Sequence, residues 1–71
     1  MSEWLHGLSM TFKERQIYEA MKKLGGEAQP IHPAKIAEEM GISRDYAEIL
    51  CREMVLRMHF AKKGLKYAIK Q

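Results

Sequence analysis

The side chains with the most chemistry to offer in this 71-residue chain are cations gathered at one end. Residues 54–71 carry Arg57, Lys62, Lys63, Lys66 and Lys70 with no Asp or Glu, a balance of +5. Residues 1–53 hold seven Lys/Arg against nine Asp/Glu, a balance of −2, so the formal net charge of +3 hides a strong asymmetry. Ammonium and guanidinium groups without interleaved acids attract a polyanion or an acidic partner. The plainer alternative is a solvated basic tail.

The remaining reactive side chains do not assemble into a catalytic or metal-binding pattern. His6, His32 and His59 are widely separated, without the i, i+4 or Cys-x-x-Cys spacing that places ligands on one ion. Each reads as an exposed or capping His. Cys51 is the single cysteine, which excludes an internal disulfide. It falls on the apolar face of a predicted helix, where a thiol packs as a small hydrophobe. Glu38 and Glu39 are adjacent, so their carboxylates diverge around a helix instead of converging on a substrate. Gly25-Gly26 reads as a helix stop, since no phosphate-loop Lys-Ser/Thr follows it. A non-enzymatic chain without metal or cofactor is expected.

These cations must be positioned by a small core. The apolar share of 46% and charged share of 30% suit a globular domain, and the length allows only one. No apolar run approaches a membrane span and no signal-like stretch opens the chain, so a cytoplasmic protein without membrane contact is expected. Residues 1–10 read as an extension, flexible or dimer-forming, in which Trp4, Leu5 and Leu8 seek a cover. Residues 11–71 read as the domain.

Three helices are predicted there. Thr11 and Glu14 have capping-box spacing, and Ile17, Ala20, Met21 and Leu24 recur with helical period. Phe12 is expected to join that core, and Glu19 to pair with Lys23 at i, i+4. Glu27 to Ile31 reads as at most a short extended piece at a sheet edge. His32 and Pro33 suit the opening of a second helix, with Ile36, Ala37 and Met40 inward. Gly41 supplies a left-handed exit, Ile42 fills the corner, and Ser43 caps a third helix running to Arg57 or Met58. Ala47, Leu50, Cys51, Met54 and Met58 share its buried face. The period then changes. His59 to Lys63 and Leu65 to Ile69 read as two strands turning at Lys63-Gly64, with Phe60, Tyr67 and Ile69 inward. The expected class is α+β, mainly α: a three-helix helix-turn-helix core followed by a β-hairpin wing.

From Thr11 to Ile69 the chain resembles the winged helix-turn-helix superfamily. The likeness is carried by Ile36-Ala37, Gly41-Ile42-Ser43, Ala47, Leu50 and the Lys62-Lys63-Gly64 hairpin. The resemblance implies a small regulator of transcription that binds double-stranded DNA, with helix three in the major groove. By position, Ser43, Arg44, Asp45, Tyr46 and Arg52 would face the groove, while Lys62, Lys63 and Lys66 would hold the backbone. One subunit would read sequence poorly, so a homodimer on two half-sites is implied.

The residues themselves leave a rival open. The outward face of helix three carries Asp45, Ile49, Arg52 and Leu56, a poor set for reading bases. Glu48 and Glu53 stand four residues before Arg52 and Arg57, and each is expected to pair with its arginine. Ile49 and Leu56, with Trp4, Leu5 and Leu8, could instead form an apolar interface for a protein partner. An adaptor that binds no DNA is therefore the alternative. RNA ranks lower, because no aromatic stacking surface is evident.

Overall fold

The computed structural model describes residues 10–71. Trp4, Leu5, Leu8 and His6 lie outside the described residues. Helix α1 spans Phe12–Lys23, α2 Pro33–Met40 and α3 Arg44–Leu56, followed by strands β1 (Phe60–Lys63) and β2 (Lys66–Ile69). The class is α+β, mainly α.

Each helix begins where a side chain can serve an orphan N–H. Thr11 accepts from the Glu14 N–H at 3.1 Å, and the Glu14 carboxylate accepts from the Thr11 N–H at 3.0 Å. Both halves of the capping box are therefore closed. His32 Nδ1 accepts from the Ala34 N–H at 3.0 Å ahead of Pro33, and Ser43 Oγ accepts from the Tyr46 N–H at 3.1 Å.

Each helix also ends on a left-handed residue, and here the third differs from the others. Gly25 (φ 88) and Gly41 (φ 69) close α1 and α2 at no steric cost. Met58 does the same after α3 with φ 67. The His59 N–H reaches the Met54 carbonyl at 2.8 Å and the Met58 N–H reaches Val55 at 2.9 Å, the paired bonds of a Schellman motif. This turn lifts Met58 off the buried face expected for it and leaves it 66% exposed.

The core gathers one stripe from each helix. Ile17 and Met21 of α1 meet Ile36 and Ala37 of α2, and Ala47, Leu50, Cys51 and Met54 of α3. Phe60, Tyr67 and Ile69 of the hairpin close it. Phe12 does not join, being 77% exposed. The capping box turns Glu14 inward, and two residues, or about 200°, of helix separate Phe12 from it. The buried Glu14 carboxylate then pairs with Arg57 Nη1 at 3.2 Å, so Arg57 takes this partner in place of the expected Glu53. A buried carboxylate left half-paired would cost more than an exposed one. Lys23 likewise reaches across to Glu39 of α2 at 3.1 Å instead of pairing with Glu19.

The hairpin pairs Phe60 with Ile69, Ala61 with Ala68, Lys62 with Tyr67 and Lys63 with Lys66. Its two-residue loop is Gly64-Leu65, one step later than the expected Lys63-Gly64. Gly64, with φ 65, takes the loop's first central position, where mirror-type hairpin turns call for positive φ. Ile31 adds a one-residue third strand, exchanging both backbone bonds with Tyr67 at 2.7 and 2.9 Å. That is the short extended piece read between Glu27 and Ile31.

Two substitutions test these chain ends. Met58→Gly removes the left-handed strain and should raise the unfolding free energy by about 1 kcal/mol. Gly26→Ala should lower it by on the order of 1–3 kcal/mol, because a Cβ there meets the Met21 side chain and its carbonyl oxygen at 2.9 Å. Urea titration reads both. Opposite signs are expected.

Candidate nucleic-acid interface

The candidate interface centres on α3, whose buried side fixes what its other sides can do. Turning about 100° per residue, the helix carries Asp45, Ile49, Arg52 and Leu56 on the side away from the core. All four are exposed, Ile49 at 51% and Leu56 at 82%. The two flanks of that stripe face different elements. Glu48 and Val55 stand toward the wing, whereas Tyr46, Glu53 and Arg57 stand toward the first turn of α1.

The wing flank holds a short chain of interactions. The buried Tyr67 phenol donates to Glu48 Oε2 at 3.1 Å. Arg52 Nε lies 3.8 Å from that same oxygen, as the i, i+4 spacing led one to expect. Lys62 folds back so that its Nζ sits 4.9 Å from the centroid of the Tyr67 ring, within reach of a cation–π attraction. Arg52 and Lys62 thus border one shallow groove of about 350 Å³, whose floor is Val55 and Tyr67 with Leu56 beside it.

The three wing lysines do not act as one cluster. Residues paired directly across a hairpin share a face, and neighbours along a strand alternate. Lys62 is opposite the buried Tyr67, on the face turned to the core and α3. Lys63 and Lys66 are opposite each other on the outer face. Lys63 there borders a second groove with Glu27, Gln29, Ala68 and Lys70. Like charges directly across a hairpin repel, so this pair gains most from an anion.

At the start of α3, Arg44 and Asp45 are exposed. Asp45 in the first turn favours the helix dipole but repels a phosphate. Ser43 uses its hydroxyl as the cap. Tyr46 is exposed with the Lys13 ammonium 5.8 Å from its ring. Lys13 and the Tyr67 phenol are the site groups that sequence reasoning did not single out, whereas Glu48 was read only as a partner for Arg52. Tyr67 was legible as an inward residue, but nothing in a linear pattern pairs its hydroxyl with Glu48 or brings Lys13 across to α3.

Among the described residues, no group of three or more His, Cys, Asp or Glu side chains is placed to hold a metal ion. None of the helices there is long and apolar enough to cross a membrane. Comparison with protein-family models, with curated proteins and with solved structures gives no match.

Cys51 lies beneath this surface, fully buried. Burial, with the Glu48 carboxylate adding to it, pushes its thiol from the ordinary 9.0 up to about 12. The folded state therefore holds the proton more tightly than the unfolded chain does. The associated stability is complete below pH 9.0 and is lost as pH rises toward about 12. A Cys51→Ala variant should show a shallower fall in melting temperature over that alkaline range. Identical alkaline profiles for the two proteins would contradict the burial argument.

Proposed function

We propose that this chain is a small, non-enzymatic winged helix-turn-helix protein that binds double-stranded DNA and regulates transcription, acting as a homodimer. One observation carries the reading: Arg52 of α3 and Lys62 of the wing flank the same groove beside the exposed side of α3. A helix and a basic ribbon arranged in this way can meet one duplex together. Arg44 and Tyr46 would approach a phosphate near the start of α3, with Ser43 and Asp45 beside them. Lys63 and Lys66, on the other face of the ribbon, would meet backbone once the wing lies against a groove.

Binding of this kind rests on charge more than on base reading. Phosphate neutralisation supplies most non-specific affinity, and about four contacts per subunit would make log K fall by about 3.6 per decade of salt. Arg52 can serve only by sharing or leaving Glu48, so its contribution is smaller than that of an unpaired guanidinium. Two subunits on adjacent half-sites would compensate for the sparse set of base-reading side chains.

A second reading is favoured by a specific observation. The groove floor is apolar, and Leu56 beside it is 82% exposed. A protein partner, or a second copy, covering Ile49 and Leu56 would make the chain an adaptor.

Replacing Lys62, Lys63 and Lys66 together with Ala should weaken binding to all duplex sequences. It should also reduce the salt slope by about 2.7, at about 0.9 for each contact. Unchanged affinity and slope in a fluorescence-anisotropy titration would remove the wing from the interface. A double Ile49→Asp, Leu56→Asp variant separates the two readings. Lost self-association or partner capture with duplex affinity intact assigns that face to protein contacts. Lost duplex affinity in a protein of unchanged mass keeps it with DNA.

A further inference from the structure

Cations stand on both flanks of α3, and only one of them belongs to the wing. On the Glu48 flank, Lys62 rests over the Tyr67 ring at 4.9 Å. On the Tyr46 flank, Lys13 of α1 rests over the Tyr46 ring at 5.8 Å. Lys13 is only half-exposed, so its stem packs while its ammonium stays at the surface. Neither lysine forms an ion pair with a carboxylate of the described residues, whereas Lys23, Arg52 and Arg57 all do. A cation over an aromatic face is restrained but keeps its charge. Among the described residues, Lys13 and Lys62 are therefore the two cations near α3 that are both held in place and un-neutralised.

Cations on both flanks of an exposed helix suit a particular ligand. An α-helix with its side chains is about 10–12 Å across, and the major groove of B-form DNA is about 12 Å wide. Ammonium groups on opposite flanks of an inserted helix stand at opposite rims of that groove, where the phosphates of the two strands run. We propose that Lys13 is a phosphate contact to the strand opposite the one held by Lys62, so that α1 and the wing grip the duplex from both rims. This contact rests on the duplex-binding reading above and extends it to an element outside the helix-turn-helix and wing. Tyr46 becomes its positioning residue, since its ring fixes where the ammonium stands.

Salt-dependent anisotropy on a random-sequence duplex tests this with full-length protein. Lys13→Gln should weaken affinity several-fold and reduce the salt slope by about 0.9. Lys22→Gln makes the same charge change nine residues further along α1, about half a turn round from Lys13, and should leave the slope unchanged. Both variants should melt like the unsubstituted protein, because each removes only a surface charge. Tyr46→Ala should weaken binding too, and Lys13→Gln should cost less in that background than alone. If Lys13→Gln behaves like Lys22→Gln while the unsubstituted protein binds, this contact alone is overturned. If the unsubstituted protein does not bind duplex at all, the duplex reading falls and this contact with it.

Discussion

Tyr67 is the residue through which the wing, the core and α3 constrain one another. Its backbone exchanges two hydrogen bonds with Ile31, its ring is fully buried, and its phenol donates to Glu48 of α3. A buried hydroxyl without that acceptor would leave an unsatisfied polar group in a core with little stability to spare. Glu48 is thus fixed from below by Tyr67, and it borders Arg52 from above. The same ring carries the Lys62 ammonium. The hairpin is therefore docked on α3 at a defined point, and the two cations beside the groove inherit their positions from it.

The other end of the surface is set by α1. Glu14 closes the capping box with Thr11 and pairs with Arg57 beyond the end of α3, so one carboxylate both starts the first helix and anchors it across the third. Neighbouring Lys13 is turned toward Tyr46 by about 100° of helix. Charge and packing are coupled here: among the described residues Arg52 and Arg57 stand beside acids, while Lys13 and Lys62 rest on aromatic faces without one. Net charge alone would not separate the two kinds. The apolar groove floor works in the other direction, since a duplex has little use for Leu56 but a protein surface does. The proposed duplex reading uses the cations on both sides of α3, which a purely apolar partner would leave unused.

Much of the fold was legible because the chain marks its helix boundaries with capping chemistry. Thr11 with Glu14, His32-Pro33, Gly25, Gly41 and Ser43 all stand at observed helix ends. The misreadings have a common cause, which is that local rules ignore what the next element offers. Glu19 and Glu53 were the nearest acids along the helix, but Lys23 and Arg57 found Glu39 and Glu14 across a packing interface. Met58 kept the apolar period of α3, yet the chain had to turn there to begin the hairpin, and a methionine takes the left-handed position without help from glycine. Phe12 looked like core by residue type alone. In the site, the charge of the wing was plain from sequence, whereas its division between two faces follows only from the register of β1 on β2. Lys13 carried no linear signal, because its place beside α3 depends on how two helices cross.

The central claim is that one side of the molecule, formed by α3 with Lys62 on one flank and Lys13 on the other, is where a duplex sits. Backbone amide NMR during titration with a short random-sequence duplex tests it most directly. The account predicts shifts concentrated at Lys13, at residues 43–52 and along residues 62–66, all weakening together as salt is raised. Shifts that spare Lys13 and residues 43–52, or no shifts at low salt, would contradict it.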